Sequence, residues 1–374
     1  MRAAHNILHL GIKELRSLLR DPMLLGAVIL AFTVLIYVAA TAAPETLHKA
    51  PIAIVDEDQS QLSQRIVSAF YPPAFMPPAM ITASEVDRGM DEGRYTFALD
   101  IPPNFQRDVL AGRSPAIQLN VDATRMSQAF TGSGNIQAII NGEVNEFAQG
   151  HRAAATLPVN LALRARFNPE LNASWFTAMM EVINQVTMLS IVLTGAALIR
   201  EREHGTVEHL LVMPVTPFEI MAAKVWSMGL VVLAAAAFAL TFVVQGVLAV
   251  PIEGSVLLFI AGATLHVFAV TSMGIFMGTI ARSMPQFGLL LFLAIMPLQI
   301  LSGGMTPRES MPELVQILML AAPTTHFVIL GQAILYRGAD FSVVWPQFAA
   351  LAVIGTILFM LSLARFRKTL GTMA

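Results

Sequence analysis

The sequence predicts an α-helical polytopic membrane protein with an inserted α/β domain. Three observations predict it. Hydrophobic residues make up 55% of the chain and charged residues only 13%, too little polar surface to cover a soluble globule of 374 residues. Apolar runs recur at 23–42, 175–199, 221–246, 256–280, 287–301 and 343–364, most of them near the roughly 20 residues that cross a hydrocarbon core. Between the first two runs, residues 43–174 turn abruptly polar, with prolines, turn signals and charges, and are long enough for an independent domain. A formal net charge of -2 gives no case for nucleic-acid binding. The absence of cysteine excludes disulfides, thiolate metal sites and cysteine nucleophiles.

Residues 1–42 hold two elements. In 5–20, HNILHLGIKELRSLLR, the residues Leu8, Ile12, Leu15 and Leu19 form an apolar helical stripe, and His9, Lys13, Arg16 and Arg20 form a basic one. Such a helix fits the headgroup region of an anionic leaflet, and Asp21-Pro22 ends it. The apolar run 23–42 then reads as an uncleaved anchor. Ala40-Thr41-Ala42 resembles a signal-peptide cleavage site, but the basic region before it is too long and the apolar run exceeds the usual length.

The polar insertion, 43–174, alternates strand-like and helix-like stretches. Strands are expected at 51–55, 95–101 and 117–122, and helices at 61–70, 84–92 and 104–110. A longer helix over 127–149 is interrupted by Gly132 and Gly134, and a last strand over 158–167 leads back to the membrane. The alternation suggests a small mixed sheet. His151 stands alone, so no metal site is expected there.

Residues 175–374 supply five further spans, making six. Between the second and third lies Arg200 to Lys224, REREHGTVEHLLVMPVTPFEIMAAK. Gly205 ends one helix, Thr206 caps a short second one, and Pro214 stops it, giving a separate helix at about 206–214. Thr216, Pro217 and Glu219 form a capping box that starts the third span. A short, rigid, charged helix suits contact with another protein, and a plain connecting loop is the alternative.

Before the last span, residues 306–337 suggest a re-entrant pair. Thr306 with Glu309, and Ser310 with Glu313, read as capping boxes for a helix that runs to Pro323, and a second helix follows from Thr325 to Tyr336. Both are too short to cross, and counting them as one span would put the basic tail at Arg365 to Lys368 outside. The pair therefore dips in from the outer face as a gate, with Thr306, Glu309, Pro323, Thr325 and His326 as its marking residues; a surface hairpin is the alternative.

Basic residues set the orientation. The faces assigned inside hold Arg2, Lys13, Arg16, Arg20, Arg200, Arg202, Lys224, Arg282, Arg365, Arg367 and Lys368, whereas the short outer loops hold Arg308 and Arg337. Both termini are thus expected in the cytoplasm and 43–174 outside. Within the spans, Glu181, Asn184 and Gln185 share a face, and His266 and Gln299 are isolated polar groups. Toward lipid they are costly, so they face either a partner helix or a transport pathway. Pro297 is expected to kink the fifth helix, and the 21 methionines would suit an adaptable cavity or ordinary packing. Thr324, Thr325 and His326 are the one polar cluster that suggests hydrolysis, without an acid or oxyanion motif beside it.

The segment 200–214, REREHGTVEHLLVMP, resembles the coupling region of ABC-2 type permeases, and 13–22, KELRSLLRDP, resembles their interface helix, which carries Lys13, Glu14, Arg16 and Arg20 here. The outer domain, with PIAIVDEDQS and YTFALDIPPNFQRDVLAG, is similar to that of the bacterial inner-membrane subgroup exporting drugs or other amphiphiles. The resemblance implies a permease paired with a second copy or a similar permease and bound to cytoplasmic ATPase subunits that carry the ATP and Mg. The coupling residues would be Arg200, Glu201, Arg202, Glu203, Gly205, Thr206, Val207, Glu208, Leu210 and Leu211. The chain agrees by having no GxxxxGK[ST] phosphate loop. No cofactor, metal or catalytic residue is expected on it. A periplasmic adaptor leading to an outer-membrane channel is implied too, along with contact with membrane lipids. The alternatives are a permease for a lipid, a lipid-linked polymer or an ion, a membrane receptor or scaffold, and a membrane-bound hydrolase.

Overall fold

The computed structural model describes residues 2–42, 47, 49–122, 126–149, 173–203, 214–304, 306 and 308–371. The chain divides into two compact units, one of residues 1–42 with 166–374 and one of residues 43–165.

The first unit opens with α1 (Arg2–Leu19) and α2 (Pro22–Leu30), which continues through a π-helical turn at Ala31–Leu35 into α3 (Ile36–Ala42). Asp21 does more than end α1. Its side chain accepts hydrogen bonds from the backbone of Met23 and Leu24, so it caps α2, with Pro22 in the first helical position.

In the second unit the order is β1 (Ile52–Asp56), α4 (Gln61–Ser68), β2 (Ala79–Met80), α5 (Ala83–Asp91), β3 (Phe97–Ile101), α6 (Phe105–Leu110), β4 (Gln118–Val121) and α7 (Met126–Gln149). The expected mixed sheet is present, in the order β2-β1-β3-β4, with β1 parallel to β2 and β3, and β4 antiparallel to β3. Ile52 to Val55 form an unbroken apolar run because β1 is covered on both faces. On one face Ile52 and Ile54 join Phe97, Leu99 and Ile101 in the main core, and on the other Ala53, Val55 and Ala98 meet Val86 of α5. β2 is too short to leave a periodic signal in the sequence. The helix α7 runs through both glycines, and Gly132 has a packing reason: a Cβ there would lie 2.1 Å from the Phe97 ring. The strand expected at 158–167 and His151 lie outside the described residues.

The first unit resumes with α8 (Ala173–Glu203), α9 (Pro217–Phe238, extended by a π-helical stretch Ala239–Val247), α10 (Val256–Ile280), α11 (Met284–Ile300), α12 (Glu313–Met319), α13 (Pro323–Gly331, extended by a π-helical turn Gln332–Tyr336) and α14 (Phe341–Gly371). Among the described residues, five helices are long and apolar enough to cross a membrane: Pro22–Thr41, Ser174–Glu203, Pro217–Val247, Val256–Ile280 and Phe341–Thr369. The expected fifth span, α11, has 17 residues, about 25 Å at 1.5 Å per residue, which is short against a core of about 30 Å. Pro297 lies inside it, on an exposed position.

The pair α12 and α13 bends by 90°, as a re-entrant pair or a broken span would. Its start differs from expectation. Glu313 follows Pro312, which is the capping residue and offers no side-chain acceptor, so the box of Ser310 with Glu313 is not formed. Arg308–Ser310 forms a 3-10 turn, and Thr306 and Glu309 are exposed, with no capping hydrogen bond between them among the described residues. The second helix begins at Pro323, two residues before the expected start at Thr325, so Thr324 and Thr325 lie in its first turn.

α8 is the axis of its unit: 83% of its most apolar window is buried, against 28% for Pro22–Thr41 and for Phe341–Thr369. It touches α3, α9, α10, α11 and α13. Against α10 the approach is close because small residues line it. A Cβ on Gly274 would lie 2.3 Å from Thr194 Oγ1 and 2.6 Å from the Ile191 carbonyl, and one on Gly278 would lie 3.4 Å from the Gly195 carbonyl. Thr194 Oγ1 donates to Ser190 O and lies 3.3 Å from Thr271 O across the interface. Replacing Gly274 with leucine should therefore destabilise the unit by about 1–3 kcal/mol through overpacking. Gly288→Leu, where nothing lies within 4 Å, should be neutral, as thermal unfolding of the purified chain would show.

Candidate functional site at the end of the central helix

The last turn of α8 carries Arg200, Glu201, Arg202 and Glu203, each directed to a different element. Glu201, 8% exposed, lies 2.9 Å from Lys13 Nζ and 2.8 Å from Lys224 Nζ. Glu14 Oε1 lies 3.2 Å from each of the same two ammonium groups. Lys13, Glu201, Lys224 and Glu14 thus form a closed ring of alternating charge drawn from α1, α8 and α9. Its net charge is zero, as burial requires: Lys224 is 2% exposed, and an unpaired ammonium there would pay its full desolvation penalty. Partial burial works against the charge of Lys13, but Glu201 and Glu14 outweigh it and hold its pKa above the usual lysine value.

The other three side chains fasten the same turn to helix ends. Arg200 pairs with Asp21, the cap of α2. Hydrogen bonds to the Asp21 carboxylate, from Leu24 N above all, and the neighbouring Arg200 guanidinium hold the Asp21 pKa below the usual range. Arg202 Nη1 donates to the carbonyls of Gly278 (3.2 Å) and Ala281 (2.8 Å) at the end of α10, where a cation complements the free carbonyls and the helix dipole. Glu203 Oε1 accepts from Met284 N, 3.1 Å away, at the start of α11, where an anion is favoured.

α1 is clamped to α9 by more than charge. Its buried face is Gly11, Glu14 and Leu18, one position off the apolar stripe, so Leu8 and Leu19 remain exposed. Gly11 lets the Trp226 ring approach: a Cβ would lie 2.1 Å from it. Trp226 Nε1 donates to Ile7 O at 3.1 Å and Asn6 Nδ2 to Glu219 Oε1 at 3.3 Å. The expected box is present, with Thr216 N donating to Glu219 Oε2 and Glu219 N to Thr216 Oγ1.

Over residues 23–364 the chain matches the family model described as ABC-2 family transporter protein. The chain belongs to the ABC-2 transporter family. It is 65% identical over 374 residues to the inner membrane transport permease YhhJ of Escherichia coli K12, with all of both chains covered. It is 27% identical to the probable multidrug ABC transporter permease YbhR of the same strain, covering 97% of this chain and 99% of the relative. To the probable multidrug ABC transporter permease YbhS it is 23% identical, covering 88% of each.

In this ABC-2 transporter the junction unites residues that the sequence singled out, Lys13, Glu14, Arg200, Glu201, Arg202 and Glu203, with Asp21, read there only as a helix stop, Lys224, counted there only among the inside cations, and two it did not single out, Trp226 and Asn6. A lysine inside an apolar span was the available signal for Lys224, since such a charge needs a partner. Arg16 and Arg20 are exposed and have no side-chain partner among the described residues. Gly205, Thr206, Val207, Glu208, Leu210 and Leu211, and with them the short helix at about 206–214, lie outside the described residues.

A second polar group sits deeper, where α8, α10 and α13 meet. His266 is fully buried; its Nε2 lies 2.9 Å from Thr187 Oγ1, and its ring stacks on Phe327 with centroids 4.1 Å apart and 9° between planes. Gln185 donates to Glu181 Oε1 at 2.5 Å on α8 itself. Asn184 and Gln299 are half-buried. Thr325 is buried in the first turn of α13, and His326 Nε2 lies 3.0 Å from Leu320 O, across the bend. The contacts of His266 and His326 join separate elements, whereas that of Gln185 stays within α8. Lys224→Ala should cost about 3 kcal/mol or more by leaving two carboxylates short of a buried partner. Arg16→Ala, on an exposed position, should cost under about 0.5 kcal/mol, with thermal unfolding of both variants as the measurement.

Proposed function

We propose that the chain is the membrane-spanning permease subunit of an ATP-driven exporter that moves amphiphilic or drug-like molecules outward across a bacterial inner membrane. It works with cytoplasmic ATPase subunits that bind ATP and Mg, and with a second copy or a similar permease. Six spans, both termini in the cytoplasm, residues 43–174 in the periplasm and a re-entrant gate at about 306–337 complete this reading. A periplasmic adaptor and an outer-membrane channel would carry cargo onward from the outer domain. The family membership and the multidrug names of two relatives support export, and the positive-inside pattern supports the orientation.

The observation that carries the mechanism is the junction at the end of α8. Residues 204–213 follow it directly, and together with 200–203 and Pro214 they make up the segment 200–214 that resembles the family's coupling region. The four charged residues 200–203 are engaged by the chain itself, so docking to the ATPase falls to 204–213, and the turn 200–203 acts as the transmitting foot. A displacement of that foot cannot be absorbed locally. It pulls on the start of α2 through Asp21, on α1 and α9 through the ionic ring, on the end of α10 through Arg202 and on the start of α11 through Glu203. A rigid turn with directional contacts to five helices is what converts closure of a partner into movement of a bundle between two states.

Reconstitution with the cognate ATPase tests this. Glu201→Lys alone should lower transported cargo per ATP hydrolysed by about tenfold, within the range of coupling energies between sites. Reversing the whole ring, Lys13→Glu and Glu14→Lys together with Glu201→Lys and Lys224→Glu, which rebuilds the alternation at all four contacts, should restore much of it. Unchanged transport per ATP in a correctly folded Glu201→Lys protein would overturn the assignment.

A further inference from the structure

The α/β unit contains a cleft of about 710 Å³ between β3 and β4, α6 and α7. That is within the range of sites that hold drug-sized molecules, about 300–1,000 Å³. Two parallel lines on α7 shape it. Ile136, Ile140 and Val144, four residues apart, face the floor with Leu99, Phe105 and Leu119, while Gln137 and Asn141, one position on, stand at the mouth. The floor is apolar and the lip carries side-chain amides.

Charge is one-sided. Among the described residues that line the cleft, the charged one is Arg113, and no carboxylate is among them. Arg113 Nη2 donates to Asp108 Oδ1 at 2.5 Å, and its side chain is 59% exposed. A guanidinium has five N–H donors in a fixed fork, so that bond leaves most of its donors for a ligand. Among the described lining residues a cationic head would meet no carboxylate, Asp108 being engaged by Arg113 outside the lining, whereas a carboxylate or sulfonate would find the remaining planar donors of the guanidinium. The wall also has room at Gly134, where an added Cβ would meet nothing within 4 Å.

We propose that this cleft binds an anionic amphiphile, with its apolar body along Leu99, Leu119, Ile136 and Ile140 and its anionic head on Arg113. This gives the α/β unit a ligand site of its own, separate from the helices that would form a transport path.

The test uses the whole chain in lipid nanodiscs, without ATPase, and a dodecanoate carrying a photoreactive diazirine. After irradiation, peptide mapping should place label within 114–120 and 133–144. Gly134→Leu, which fills open space and favours a helix, should abolish that label. Arg113→Gln should raise the concentration needed for half-labelling about tenfold, the worth of one charge-assisted hydrogen bond. A dodecyl trimethylammonium probe with the same diazirine should label these peptides weakly. Label confined to the membrane-type helices, labelling indifferent to both substitutions, or equal labelling by the cationic probe would each overturn the proposal. No transport is measured, so such a failure leaves the exporter reading standing.

Discussion

A lysine ammonium that is 2% exposed within an apolar helix sets the terms for this protein's largest unit. Lys224 cannot remain charged there alone, because desolvation would cost several kcal/mol, and the chain answers with carboxylates from two other helices, Glu201 and Glu14. Two acids facing one base would leave an excess negative charge, and Lys13 closes the ring. From this follow the seating of α1 on α9, the gap at Gly11 for Trp226, and the fixed direction of the last turn of α8. A ring of this kind is weak evidence for high stability, since apolar replacements of the whole set are often as stable. Its value lies in register: it holds in one arrangement three helices that could otherwise slide in an apolar surrounding.

The same turn shows how one short stretch serves several helix ends. Every helix leaves free carbonyls at its end and free amides at its start. Arg202 satisfies carbonyls at the end of α10, Glu203 an amide at the start of α11, and Asp21, paired with Arg200, the amides at the start of α2. Away from this junction α8 relies on small residues and self-satisfied hydroxyls: Thr187, Ser190 and Thr194 each bond a carbonyl one turn back, which lets polar residues sit in an apolar interior.

Local signals were legible wherever the interaction that forms an element is local. The box of Thr216 with Glu219 formed as its spacing requires, and β1, β3 and β4 lie where apolar runs between turn signals put them. The box of Ser310 with Glu313 did not form, because Pro312 holds the capping position and the chain between them makes a 3-10 turn. The π-helical turns at Ala31–Leu35, Ala239–Val247 and Gln332–Tyr336 left no trace in periodicity, since the helices they extend are apolar nearly all round and offer no stripe whose phase an added residue could shift. The apolar stripe of α1 was read correctly, yet its buried face lies one position away, at Gly11, Glu14 and Leu18. A glycine and a glutamate do not announce a buried face; a tryptophan and a lysine on another helix make it one.

By itself the sequence determined the class of the molecule, the position of its long apolar helices, the polar insertion with its mixed sheet, and the charged segment at 200–224 as a place of interest. Those features depend on composition, on period and on residues within a few positions of one another. The tertiary structure alone decided that Lys13, Glu14, Glu201 and Lys224 close into one ring, that the charges at 200–203 turn inward to the chain's own helices, and that an apolar cleft with one arginine opens in the α/β unit. Each of these joins groups far apart in the chain, 188 positions for Lys13 and Glu201. Pairings at that separation are set by how helices pack, which no local pattern encodes.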